Sequence, residues 1–272
     1  MEHIETNDLT LQVYNAAETS FGVASVIVSG TTDAILIDAQ FTLADAEKVA
    51  QAIKSSGKKL TAIYVSHGDP DFYFGLEVFK KYFPEVTAYA APATVAHIKA
   101  TAQKKLEVWG ERLGKNITSN VVLPQVLKGN SLELEGRQLE IIGLEEFPAK
   151  TVVWIPAIKA VVGGINVFGT GFHLWMADAQ TEAARTQWIS VLDNIASLQP
   201  DIVVPAHAQS GTPFDLSTVS HTRSYLQYYE GALKANKTSE ALIADLKAKY
   251  PALTFDTALQ IGAKVNTGEM KW

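Results

Sequence analysis

The feature that most constrains this chain is the order in which two hydrophobic periodicities alternate along it. Leu9 to Tyr14, Val23 to Val28 and Ala34 to Ile37 read as strands, with alternating or continuous β-branched runs; a helix and a further strand, Leu60 to Val65, follow. That helix, Leu43 to Lys54, is introduced by Thr42 with Asp45 three residues on, close to a capping box, and ends at Ser55-Ser56-Gly57. A helix from Phe74 to Tyr82 halted by Pro84, a strand Val86 to Tyr89 and a long helix from Pro92 to Leu113 complete the first half. Strands then return at Ser131 to Leu134, Gln138 to Ile142, Thr151 to Ile155 and Ala160 to Val162. They are followed by a helix Thr181 to Leu198, a strand Ile202 to Val204 and a helical region from Leu216 onward. Two halves, each a sheet with helices on one side, can bury both apolar faces only by packing sheet on sheet. The expected fold is a four-layer αββα sandwich spanning about residues 10–210, with residues 214–272 as a helical extension packed on it. No proline-rich or Gly/Ser linker divides the chain, so a single domain over 1–272 is expected.

Composition enters through what it excludes. The 272 residues contain no cysteine, which removes disulfides, thiolate nucleophiles and Cys-type zinc sites and leaves His and carboxylate as the only metal donors. A formal charge of −6 gives no long-range attraction to nucleic acid. The basic run Lys99 to Lys115 is interspersed with Leu106, Val108, Trp109 and Leu113 and reads as the solvated face of an amphipathic helix. No run approaches the roughly 20 apolar residues of a membrane span, and Met1 to Leu9 lacks the regions of a signal peptide. The expectation is a soluble protein, cytoplasmic or, had a signal been removed, periplasmic. Its partner would be a small-molecule substrate rather than nucleic acid or membrane, with homo-oligomerisation left open.

The segment Ile63-Tyr64-Val65-Ser66-His67-Gly68-Asp69-Pro70-Asp71-Phe72-Tyr73-Phe74-Gly75 places one histidine and two carboxylates on the loop after a buried strand. Side chains alternate along an extended loop, so His67, Asp69 and Asp71 would project to one side and could share a cation. The same residues also read as a polar turn, with Asp69-Pro70-Asp71 as turn chemistry and His67 as a strand cap.

Val65 to Gly75 resembles the His-x-His-x-Asp-His signature of the metallo-β-lactamase fold superfamily, with Asp69 and Phe72 at the second and third histidine positions. Glu146, leading into Thr151-Val152-Val153-Trp154, is similar in place to the family's next metal-binding histidine. Gly164-Ile165 resembles the Gly-Asp pair that carries the bridging aspartate, and Pro205-Ala206-His207 resembles the Pro-Gly-His that carries the last histidine. The resemblance implies a first site of His67, Asp69 and Glu146 with an open position for water. It also implies a depleted second site whose remnants are Asp71 and His207. A single divalent ion, Zn, Mn or Fe, is implied, with the extra carboxylates shifting preference toward harder ions.

Two functions follow from that resemblance. In the first, the ion activates water, Asp71 orients or deprotonates it and His207 shuttles the proton, giving a hydrolase of a small ester, lactone, thioester or amide. In the second, the site holds no metal and the fold binds a ligand or partner without catalysis. The first is preferred because chance substitution is not expected to put carboxylates at two of three first-site positions. Phe72, Tyr73, His173 and Trp175 are candidates for the substrate pocket, Asp38 for support of the metal loop, and His97 for a structural or surface role.

Overall fold

The β-branched runs become strands where both faces find apolar cover. In the computed structural model, which describes Met1 to Trp272, seven strands form one sheet in sequential order: β1 (Glu2–Glu5), β2 (Thr10–Asn15), β3 (Ala24–Ser29), β4 (Asp33–Ile37), β5 (Lys59–Val65), β6 (Thr87–Ala90) and β7 (Gln125–Val126). β1 to β4 run antiparallel and β4 to β7 parallel. The parallel crossovers carry α1 (Leu43–Ser56), then α2 (Pro70–Tyr73) with α3 (Leu76–Tyr82), then α4 (Pro92–Leu113). The second sheet has the order β12-β11-β10-β9-β8, built from β8 (Ser131–Leu134), β9 (Arg137–Ile142), β10 (Val152–Ile155), β11 (Ala160–Val162) and β12 (Ile202–Val203). α5 (Glu182–Ser197) connects β11 to β12, and α6 (Leu216–Ala235), α7 (Ser239–Lys249) and α8 (Asp256–Asn266) follow.

Side-chain alternation divides the core as a sheet-on-sheet sandwich requires. Val26, Val28, Ile35, Ile37 and Tyr64 of the first sheet share one cluster with Leu139, Ile141, Val153, Ile155 and Val162 of the second. Their sequence neighbours Ile27, Leu36 and Ile63 point the other way, into the helices, in a cluster with Val49 and Ile53 of α1 and Ile98 of α4. On the other flank Val161 and Val203 pack with Leu192 of α5 and Leu226 of α6. The expected four-layer αββα arrangement is the observed one.

Helix boundaries follow local chemistry. The Thr42 hydroxyl accepts from the Asp45 amide at 3.1 Å and donates to its carboxylate at 2.7 Å, and Gly57 closes α1 at φ 72°. The expected helix Phe74 to Tyr82 is α3, which starts at Leu76 with Gly75 before it, and the loop ahead of it carries the separate short helix α2. A Cβ on Gly75 would lie 1.9 Å from the Ala39 carbonyl oxygen, so only glycine lets this loop dock on the strand end. β1 and β7 carry no sequence signal: Glu2-His3-Ile4-Glu5 is a half-exposed edge strand and β7 is two exposed residues. No helix is long and apolar enough to cross a membrane.

Candidate functional site

Loops at the ends of β4, β5 and β12 converge where the two sheets meet. His67 follows β5 and His207 follows β12, and Ala206 is held between the two halves: Ala24 N donates to its carbonyl at 2.8 Å, and its own amide donates to Val167 at 2.8 Å. The carboxylate of Asp38, buried at the end of β4 with φ 62°, accepts from the Ser66 amide at 2.8 Å and from the Ser66 hydroxyl at 2.7 Å. That hydroxyl in turn accepts from Gly164 N at 2.7 Å. Asp38 thus fixes the loop that carries His67, as the resemblance implied, and burial pushes its carboxyl up to about 7.

Pro70 sits at the first helical position of α2, so the loop stops being extended at Asp69. The carboxyl-bearing side chains separate into two pairs. His67 Nδ1 donates to the Ala149 carbonyl at 2.9 Å, and its Nε2 lies 3.2 Å from Asp69 Oδ2. The other Asp69 oxygen is ion-paired with Lys105 of α4, whose ammonium also lies 3.4 Å from the Gly68 carbonyl oxygen and 3.4 Å from His97 Nε2. Asp69 is held far below the carboxylate range: burial opposes this, and the charges of His67 and Lys105 outweigh it. The second pair is Asp71 and His207, with Oδ2 and Nε2 3.5 Å apart. His207 Nδ1 donates to the Phe21 carbonyl at 3.0 Å, leaving Nε2 as the free lone pair of the neutral ring. Burial lowers His207 to about 4, and burial followed by the Asp69 charge raises Asp71 to about 7.

Between these pairs stands the ring of Phe72, 1% exposed. Its centre lies 5.2 Å from that of His67 and 5.8 Å from that of His207, near-perpendicular to both. His67, Asp69, Asp71 and His207 line one cavity of about 710 Å³, together with Ile165, Asp178, Lys105 and Lys150. Its aromatic wall comes from Phe21, Phe41 and Phe255, and from Trp109, Trp175, Trp188 and Trp272. Lys150 Nζ lies 5.4 Å from the Trp188 ring centre and forms no ion pair; burial depresses its pKa, against the pull of Asp178 and Asp69.

Several expectations need correction. Glu146 is exposed, does not line the cavity, and contributes only its backbone carbonyl, to Gln187 Nε2 at 3.3 Å. The chain from Gly143 turns outward, and Lys150 rather than Glu146 reaches the cavity. Of the pocket candidates only Trp175 lines it. Phe72 and Tyr73 are packed beneath it, and His173 is fully buried with Nδ1 3.0 Å from the Tyr225 hydroxyl of α6. His97 is exposed, as expected of a surface residue, and also lies on the cavity wall, whereas Lys105 leaves the solvated face for an ion pair with Asp69. The signal for α4 was present: His97, Thr101, Lys105 and Trp109 recur at four-residue spacing and make one helical face. Phe21, Asp38 and Phe255 all adopt left-handed backbone around this cavity, strain that the surrounding packing must sustain.

The family model of the metallo-beta-lactamase superfamily matches residues 19–207. The chain belongs to the metallo-β-lactamase superfamily. Among solved structures it is similar to a metallo-beta-lactamase from Pontibacter korlensis (20% identity, TM-score 0.57), covering 83% of this chain and 98% of that one. It is also similar to the DIM-1 metallo-beta-lactamase exposed to ceftazidime (19%, TM-score 0.52; 84% and 96% covered) and to TMB-1 (21%, TM-score 0.50; 84% and 98% covered). At these identities the likeness establishes the shared fold. No curated protein sequence matches the chain.

Superfamily membership brings metal-dependent hydrolysis with it as the chemistry to weigh, and the donor set here does not fit that metal centre. No three His, Asp or Glu side chains are arranged to hold an ion. Asp69 is engaged by an ammonium, Glu146 points away, the cavity wall carries the apolar Ile165 and the Phe72 ring lies between the two histidines.

Proposed function

We propose that this superfamily member is a metal-independent binding protein for a small amphipathic anion. The observation that carries this reading is the cavity itself: about 710 Å³ with seven phenylalanine and tryptophan rings in its wall, and within it the Lys150 ammonium, which no carboxylate engages. A half-buried cation over a tryptophan face, without an anionic partner, favours a ligand that brings the negative charge. The flat apolar body of such a ligand would lie against the wall made by Phe21, Trp175 and Phe255, whose rings pack on one another with centres 5.9, 5.6 and 6.1 Å apart.

Four of the five tryptophans line the cavity, so intrinsic fluorescence reports occupancy directly. Titration with a naphthalenesulfonate should quench that fluorescence saturably and be unaffected by chelator. Lys150→Met should weaken binding roughly tenfold or more, the loss of one charge-assisted contact. Binding that is equal in Lys150→Met, or that disappears with chelator, would refute this reading.

A second reading, hydrolysis of a small ester, lactone, thioester or amide, is favoured by the Asp71–His207 pair. His207 Nε2 is a free base, its ring fixed by the Phe21 carbonyl, and Asp71 lies next to it in the cavity. Hydrolysis of p-nitrophenyl acetate that survives chelator and is lost in both His207→Gln and Asp71→Asn would establish it. Hydrolysis equal in the wild type and both variants would dismiss it.

A further inference from the structure

We infer that Lys105 takes the place of the metal ion in this fold: its ammonium is the cation that joins helix α4 to the loop carrying His67 and Asp69. The inference rests on the metal-independent reading of the cavity and adds the group that makes the site so.

The geometry is specific to one lysine. α4 carries Lys99, Lys104, Lys105 and Arg112, yet among the acids of the cavity only Asp69 is ion-paired to this helix, and only by Lys105. Its side chain is 20% exposed, whereas Lys104 in the same turn is exposed. The Lys105 ammonium has three neighbours: the Asp69 carboxylate, the Gly68 carbonyl oxygen at 3.4 Å and His97 Nε2 at 3.4 Å. Two of them belong to the loop after β5, where the superfamily signature lies, and the third is two turns earlier on the same helical face.

Asp69 has no free oxygen left. Oδ1 faces Lys105 and Oδ2 faces His67 Nε2 at 3.2 Å, so an incoming divalent ion would displace an ammonium and meet its charge at close range. Gly68 completes the contact: a Cβ there would lie 2.6 Å from His97 Cδ2, so the loop approaches α4 closely enough for a lysine stem to span the gap. A lysine ammonium is a compact point charge on a flexible stem, suited to filling the position of a small cation without imposing coordination geometry. The exchange accounts for the coexistence of His67 and Asp69 with an ill-suited metal set: their charges are balanced from within the chain.

Removing that balance tests the inference. Lys105→Met keeps the stem and removes the charge, whereas Lys105→Arg keeps the charge. Co²⁺ titration by calorimetry, with the visible absorption of the bound ion as a second readout, should give no binding in the wild type or Lys105→Arg. Lys105→Met should show detectable Co²⁺ binding, roughly tenfold or more tighter than the weakest binding the wild-type titration would register, the factor that about 1.4 kcal/mol of relieved repulsion supplies. Lys105→Met should also lower Tm, and adding Asp69→Asn should restore part of that loss, because no charge is then left unpaired. If Lys105→Met proves too unstable to titrate, this rescue decides: failure of Asp69→Asn to recover any stability would overturn the inference. A Lys105→Met protein that folds and gains no affinity for Co²⁺ would overturn it while leaving the metal-independent cavity intact. Stoichiometric Co²⁺ in the wild type would defeat both.

Discussion

Replacing Phe72 with alanine tests how the space between the two histidines is used. The ring is 1% exposed and packs edge-to-face against His67 and His207, so its removal loses the transfer free energy of a buried aromatic, about 2 kcal/mol. A cavity of roughly 100 Å³ at about 24 cal/mol per Å³ adds about 2 kcal/mol if the site cannot collapse. Asp38 and the Ser66 hydroxyl pin the neighbouring loop, and α2 docks through the Ala39 amide, which donates to the Phe72 carbonyl at 2.7 Å, so collapse is resisted. The ligand cavity is adjacent, however, and water can enter from it, which pulls the expected loss toward 3 kcal/mol, the low end of the range for Phe→Ala. Urea unfolding at neutral pH, followed by far-ultraviolet circular dichroism, measures it through the midpoint and m-value. Phe72→Leu should lose less than about 1.5 kcal/mol, as a replacement nearer in volume. A loss below about 1 kcal/mol in Phe72→Ala would refute the packing argument and leave the region between His67 and His207 free for other occupants.

The remaining predictions concern single residues. His173 is fully buried and lowered to about 4 from 6.5, chiefly by burial. The His173 contribution to stability is therefore intact above pH 6.5 and is lost as pH drops toward 4, because the unfolded chain takes up a proton that the folded chain refuses; that loss is roughly 3 kcal/mol. His173→Gln should make the unfolding free energy depend less steeply on pH across that window, with the part due to His207 remaining, and an unchanged slope would contradict the assignment. Glu146→Ala should change stability and naphthalenesulfonate affinity by no more than about 0.5 kcal/mol, as for an exposed side chain; a large loss of either, by urea unfolding or fluorescence titration, would restore Glu146 to the site.

How much was legible in the sequence depended on whether the information was local. Strands such as Ala34 to Ile37 and helices such as Leu43 to Ser56 carry their periodicity and caps within a few residues, and the sandwich follows from their order. That His67, Asp69, Asp71 and His207 come together at one cavity was legible because each lies just beyond a buried strand, where backbone direction fixes side-chain placement. Glu146 was misread because it lies in an irregular stretch between β9 and β10, where no periodicity records which side chain turns inward. Lys105 looked like one more solvated lysine, because its partner Asp69 is 36 residues away and only the crossing of α4 over the loop brings them together. The aromatic wall was hidden for the same reason: Phe21, Trp109, Trp175 and Phe255 come from four distant segments.

The central claim is that this superfamily member works without the metal centre of its fold, and elemental analysis tests it most directly. Protein purified without a metal-chelating column would be assayed for Zn, Mn, Fe and Co, and its Tm compared with and without chelator. The account predicts metal far below one ion per chain and an unchanged Tm. Close to one ion per chain, removed by chelator with a fall in Tm, would contradict it.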